Sequence, residues 1–151
     1  MASRRSGHLK AALWRAYRIA DRRHKIFDGE GAATFGGRWN SPGRRVIYAA
    51  ETYAGALLEV LANSNIGRVP KHHAWIEILI DGDVSVEEVD QRPSRIFGDK
   101  WYDEKRSTVL IVPSTVVRVE RNIVISQEHP GFRKLRATAP KPVVWDERLF
   151  R

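Results

Sequence analysis

Between Asp21 and Arg45 the chain carries five glycines, Gly29, Gly31, Gly36, Gly37 and Gly43, and one proline, Pro42. Such a density of glycine resists regular structure, because glycine loses more conformational freedom on ordering than any other residue. The stretch reads as one long loop, and a loop of this length inside a compact domain is usually functional. Short apolar segments surround it. Leu13–Ile19 and Val46–Ala50 read as strands, and Thr52 is placed to cap a helix from Tyr53 to about Asn63. Ala74–Ile80 and Thr108–Val112 read as buried strands, the second stopped by Pro113. Ile96–Arg106 is a second candidate helix, Val116–Val119 and Asn122–Ile125 are further candidate strands, and the basic stretch Arg133–Trp145 can end in another. Gly82–Pro93 is acidic and turn-rich and is expected to be a solvated loop. Strands outnumber helices in an irregular order, which argues for an α+β domain of mixed or antiparallel strands with a few helices rather than a doubly wound sheet. Residues 1–10 are expected to form a frayed, flexible N-terminus ahead of a single domain over 11–151.

Composition narrows the chemistry. Hydrophobic residues make up 42% of the 151, which fits a globular chain. There is no cysteine, so disulfides, thiolate catalysis and cysteine zinc sites are excluded. No apolar run approaches a membrane span, and the N-terminus lacks the apolar segment of a secretory signal; a cytoplasmic location is expected. The net charge of +8 favours an anionic partner. The basic residues are dispersed, which ranks a small phosphorylated ligand above nucleic acid.

Arg38 sits inside Gly36-Gly37-Arg38-Trp39-Asn40. Glycines clear space around it, and its planar fork of donors suits phosphate. Tyr48 lies in an apolar strand, where a packed ring with one hydroxyl partner is the ordinary reading. Glu59 falls outside the apolar face formed by Tyr53, Leu57, Leu58, Val60 and Leu61. Its neighbours at three and four positions are Gly55, Ala56, Ala62 and Asn63, so no intrahelical ion pair explains it. It is either a solvated glutamate or a carboxylate facing a ligand. His72 and His73 are adjacent and point opposite ways on extended chain, so no metal role is expected. The acidic cluster Asp81, Asp83, Glu87, Glu88 and Asp90 lacks calcium-loop spacing. Ser114 lacks a nucleophile elbow and reads as a hydrogen-bond donor at a strand end.

These residues together resemble the RES domain. The resemblance rests on Tyr17-Arg18-Ile19, Phe27-Asp28-Gly29-Glu30-Gly31-Ala32, the box Gly36–Gly43, Val46-Ile47-Tyr48, Ala56–Val60 and Val112-Pro113-Ser114. It runs from about Leu13 to the C-terminus. The Gly-Gly-Arg-Trp-Asn box, with a tyrosine ten and a glutamate twenty-one residues after its arginine, is its most specific part.

The resemblance implies a toxin of a bacterial toxin–antitoxin pair, with a fold like that of ADP-ribosyltransferases. It implies an enzyme that breaks the nicotinamide–ribose bond of NAD, with phosphate or water as acceptor. NAD is then a substrate and no metal is implied. It also implies an Xre-type helix-turn-helix antitoxin covering the active site. By the same resemblance Arg38 holds the NAD phosphates with Arg18 as a second arginine, and Tyr48 lies near nicotinamide. Glu59 is the acidic residue of the pocket, and Ser114 is the family serine. Gly37 and Asn40 of the box border the dinucleotide. Transfer of ADP-ribose to a protein is the alternative. A nucleic-acid-binding module ranks third, because Trp14, Trp39, Trp75, Trp101 and Trp145 are scattered rather than grouped as a stacking platform.

Overall fold

The computed structural model describes residues 2–5, 12–63 and 67–151. In chain order the elements are β1 (Ala2–Arg5), β2 (Trp14–Asp21), α1 (Glu30–Phe35), β3 (Val46–Ala50), α2 (Tyr53–Ala62), β4 (His73–Ile80) and β5 (Val86–Val89). They continue with α3 (Arg95–Asp103), β6 (Val109–Pro113), β7 (Arg121–Ser126), β8 (Arg136–Ala137) and β9 (Lys141–Pro142). The described residues form one sheet in the order β1-β5-β6-β7-β3-β2-β4-β8, with β9 also on β4. The β5–β6 pair is parallel, joined through α3 as a parallel pair requires; the other pairs are antiparallel. This is the α+β arrangement expected.

Strand alternation sorts the side chains onto two faces. Along β4, Ala74, Ile76, Ile78 and Ile80 are buried and alternate with half-buried residues. They join Ala16, Ile47, Ile111, Ile123 and Ile125 in one continuous core on one side of the sheet. The opposite side carries two separate clusters. Trp39, Val46, Leu110, Val112, Val124 and Trp101 of α3 form one. Ile19, Ala50 and Ala56 of α2 form the other, with Tyr17, Tyr53 and Trp75 packed against them. The boundary between these two clusters is where a cleft opens.

The sheet itself divides near the same place. β2 and β3 pair only at Tyr17 and Ala50, whereas β2 runs its whole length against β4. Past that point Arg18 bridges the gap: its Nε donates to Ile26 O at 2.8 Å and its NH1 to Tyr48 O at 2.9 Å. A guanidinium thereby replaces ladder hydrogen bonds that the parted strands cannot make.

Several local expectations need correction. The long glycine-rich loop contains α1, a single short helix with Glu30 in its first turn, ending at Gly36 in the left-handed region (φ +74°). Six residues do not hold a helix alone. Asn40 Nδ2 donates to Ala32 O and Gly43 N to Ala33 O, which tie α1 to the following loop. The acidic stretch contains β5, because Glu87 and Glu88 are met by Arg106 and Arg121 from distant parts of the chain. Val116–Val119 is a turn rather than a strand. Ser114 Oγ accepts from Val117 N at 2.9 Å and fixes that turn, leaving Val119 fully outside. Within the expected flexible N-terminus, Ala2–Arg5 pairs antiparallel with β5; residues 1 and 6–11 lie outside the described residues. No helix among the described residues is long and apolar enough to cross a membrane.

Candidate active site

The cleft measures about 600 Å3, within the usual range of sites for small molecules. Its floor is β3, β6 and β7. One wall is α2, through Ala56, Glu59, Val60 and Asn63, and the other is α1 with the loop from Gly36 to Trp39.

Glu59 is the carboxylate of this cleft. Its Oε1 accepts from Asn122 Nδ2 at 3.0 Å and from Ser114 Oγ at 3.4 Å. Both bonds fall on one oxygen, so Oε2 keeps no partner among the described residues. Asn122 stands opposite Ala50 and Val112 in the sheet register, which puts it on the cleft floor. It was not singled out from the sequence; the only hint is an asparagine at the head of the apolar run Ile123–Ile125.

Arg38 lies on the opposite wall, exposed, with no hydrogen bond or ion pair among the described residues. Other arginines of the same loop are neutralised: Arg44 on Asp103 at 2.7 Å and Arg45 on Asp28 at 3.3 Å. An unmatched guanidinium beside a cleft is a ready anion contact. The loop that carries it is anchored on α3. Asp99 accepts from Ser41 N at 2.8 Å and from Ser41 Oγ at 2.6 Å, and Trp39 meets Phe97 edge to face at 6.1 Å. Arg95 Nε donates to Gly37 O at 2.8 Å.

Tyr48 lines the cleft, but its hydroxyl is committed to the loop. It donates to Asn40 Oδ1 at 2.7 Å and accepts from Trp39 N at 3.0 Å. Burial pushes its phenol up to about 12, so the group stays neutral in ordinary buffers. A Cβ on Gly37 would stand 2.6 Å from that hydroxyl, so the glycine is what lets the loop lie on the tyrosine ring. Asn40 is completely buried. Its amide nitrogen goes to Ala32 O and Ser41 O and its oxygen to Tyr48. The structure therefore places Asn40 behind the cleft wall, as a brace for the loop. Ser114 is likewise buried and reaches the cleft only through Glu59; its neighbours Pro113 and Thr115 line the wall. Arg18 lines the cleft while two of its donors hold the split of the sheet. Of the residues singled out from the sequence, Arg18, Gly37, Arg38, Tyr48 and Glu59 thus meet on one cavity.

Tyr48 also supplies an alkaline test. A phenol with a folded pKa near 12 and an unfolded one near 10 holds its proton longer when folded. Its contribution is complete below pH 10 and is lost as pH rises towards 12. Urea midpoints measured from pH 8 to 12 are expected to show this loss in the wild type. Tyr48→Phe, which strips one donor and one acceptor from the loop, is expected to cost about 1–2 kcal/mol at pH 8 and to lose that part of the alkaline slope.

The fold is an α+β domain whose split, mostly antiparallel sheet carries around one cleft a carboxylate, a half-buried tyrosine and an arginine unpaired among the described residues. The chain matches the RES domain family over residues 12–146 and belongs to it. It is 30% identical over 138 residues to the Prs ADP-ribosylating toxin of Sphingobium sp. (strain YBL2), covering 82% of this chain and 86% of that one. It is also 30% identical over 148 residues to Toxin Res of Yersinia enterocolitica, covering 88% and 97%. Among solved structures, the M. tuberculosis MbcT–MbcA toxin–antitoxin complex contains a chain of the same fold. The TM-score is 0.66 at 20% identity, with 87% of this chain and 85% of that one covered. Among the described residues no group of three or more His, Asp or Glu is placed to hold a metal ion.

Proposed function

We propose that the protein is the toxin of a toxin–antitoxin pair and that its cleft cleaves the nicotinamide–ribose bond of NAD, with water or phosphate as acceptor. The observation that carries this reading is Glu59 Oε2 across the cleft from Arg38, neither with a partner among the described residues. Nicotinamide leaves with the bonding electron pair, which neutralises its ring nitrogen. The ribose carbon left behind develops positive charge, and water or phosphate closes on it with loss of a proton. Such a reaction needs no strong protein nucleophile; it needs a fixed negative group near the ribose and a grip on the pyrophosphate. Glu59 supplies the first, with Asn122 and Ser114 setting its orientation. Arg38 supplies the second. Tyr48 and Gly37 keep the arginine's loop in place, and Arg18 bridges the parted strands beneath it.

The test is NAD loss and nicotinamide release by purified protein, with and without phosphate. Loss in both conditions marks a hydrolase, and a strict need for phosphate marks a phosphorylase. Arg38→Ala is expected to raise KM for NAD roughly ten- to a hundredfold, the cost of one charge-assisted contact to phosphate. Its urea midpoint should stay within about 0.5 kcal/mol of wild type, because the side chain is exposed and unpartnered. An unchanged KM would remove Arg38 from substrate binding.

The name of the Sphingobium relative favours a second reading, transfer of ADP-ribose to a protein. Labelled NAD incubated with cell lysate separates the two: a single labelled band without bulk NAD loss supports transfer. The partner in either case is an antitoxin lying over the cleft, and the Xre type is the expectation. A chain of net charge +8 suits an acidic partner. Association should therefore slow as salt is raised.

A further inference from the structure

The helix that carries Glu59 spans the split in the sheet. The apolar side of α2, through Tyr53, Leu57 and Val60, packs with Tyr17 and Ile19 of β2 and Trp75 of β4. The partners of Glu59 lie on the other half, Ser114 just past β6 and Asn122 on β7. The turn 114–120 between β6 and β7 holds α2 on that side at two points. At the first, Ser114 Oγ donates to Glu59 Oε1 at 3.4 Å. At the second, two helical turns earlier, Thr52 Oγ1 donates to Glu120 Oε1 at 2.7 Å and accepts from Gly55 N at 2.9 Å. Glu120 thereby orients the hydroxyl that caps the helix. The two points form one mount, because Ser114 N donates to Glu120 O at 3.0 Å. Beside them Arg121 N donates to Glu51 Oε1 at 2.8 Å. Gly55 shows how close the carboxylate lies: a Cβ there would stand 2.9 Å from Glu120 Oε1. Glycine weakens a helix relative to alanine, and here it admits the Glu120 carboxylate to the first turn.

We infer that Glu120 is a positioning residue for Glu59: by accepting from Thr52 it sets the direction in which α2 leaves β3, and so where the Glu59 carboxylate stands over Asn122 and Ser114. Only Glu51 and Thr52 separate β3 from α2, and so short a link leaves the helix direction to the cap. Glu120 is not among the residues lining the cleft, so it acts through the helix. The lever is long: over two turns, about 10 Å, a tilt of about 5° at the cap becomes about 1 Å at Glu59. A displacement of that size at a reacting group can cost a large part of the rate. This role rests on the reading of Glu59 as the carboxylate that assists bond cleavage.

The experiment compares Glu120→Ala, Glu120→Gln and Gly55→Ala in the full chain. It reads NAD turnover, Tm and the 1H–15N signals of the Asn122 side-chain amide, identified as the pair missing from Asn122→Ala. Glu120→Ala should lower kcat roughly tenfold with KM within about twofold. Glu120→Gln keeps an oxygen that accepts from Thr52 and should bring kcat back to within about threefold of wild type. Gly55→Ala crowds the carboxylate off the helix and should lower kcat in the same direction. It removes no hydrogen-bonding group and alanine favours helix, so it carries the test even where Glu120→Ala fails to fold. The Asn122 amide signals should move in Glu120→Ala and Gly55→Ala and stay near their wild-type positions in Glu120→Gln. Unmoved Asn122 signals, or wild-type kcat in both alanine variants, overturn the role. Equal losses of kcat in Glu120→Gln and Glu120→Ala overturn it too, because the oxygen acceptor is what it requires. The two readings fail separately. A wild type that leaves NAD intact, with Asn122 signals that move as expected, sinks the enzyme proposal and keeps the mounting of Glu59. Turnover with unmoved Asn122 signals does the reverse.

Discussion

Glu59→Gln should lower kcat for NAD about a hundred- to a thousandfold while leaving the fold and KM nearly unchanged. The substitution is close to isosteric. The amide oxygen can still accept from Asn122 Nδ2 and Ser114 Oγ, so the two bonds that hold the side chain survive. What disappears is the negative charge beside the developing cation, and the loss of one well-placed electrostatic contact is of this size. Glu59→Ala is a poorer probe, because it leaves the Asn122 amide without its partner. Asn122→Ala is the informative companion. It keeps the carboxylate but frees its orientation, and kcat should fall roughly tenfold. Steady-state nicotinamide release on proteins of matched urea midpoint checks both. Full turnover by Glu59→Gln would mean that the carboxylate has no part in bond cleavage, and the assignment of the cleft would fall with it.

The parts of this picture legible in the sequence are those with a local physical signature. Val46–Ala50 and the helix at Tyr53 are marked by an apolar run and a threonine cap, and Thr52 Oγ1 does accept from Gly55 N. Glu59 stood out because nothing on its own helix pairs with it. The missed elements are held by partners far away in the chain. β5 looks like a solvated acidic loop until Arg106 and Arg121 arrive from nineteen and more residues away. α1 has no apolar period and is held by Asn40 and Gly43 of the next turn. The same cause hides Asn122, whose role appears only when β7 lies beside β3. Tyr48 and Asn40 show the converse: both belong to the recognisable motifs, yet their polar atoms serve the loop, with Arg38 unpaired among the described residues.

The largest effect on stability is expected at Arg106. Glu87 is essentially without solvent contact, and Arg106 grips it with two bonds, Nε to Oε1 at 3.1 Å and NH2 to Oε2 at 2.5 Å. The same guanidinium lies 5.2 Å from the Phe97 ring of α3. Removing the arginine strands a carboxylate inside the protein, a loss of about 3–5 kcal/mol for a buried pair. The arginine keeps a quarter of its side chain exposed, so water can follow it in and the lower end applies. Arg106→Met should therefore cost about 3 kcal/mol, which at 2–4 °C per kcal/mol lowers Tm by about 10 °C. A second substitution, Glu87→Leu in the same chain, should return most of that stability, because the buried charge goes with its partner. By contrast Arg148→Ala, which breaks a pair between exposed groups, should change little. The cost at Arg106 should also reach the cleft. The β5–α3–β6 unit carries Phe97 and Asp99, on which Trp39 and Ser41 of the Arg38 loop are seated. A loosened α3 should raise KM for NAD several degrees below the Tm of the variant, with kcat less affected, since Glu59 hangs from α2 and β7. Equal loss of stability in Arg106→Met and in the double variant would show that the pair is not what holds β5 to α3.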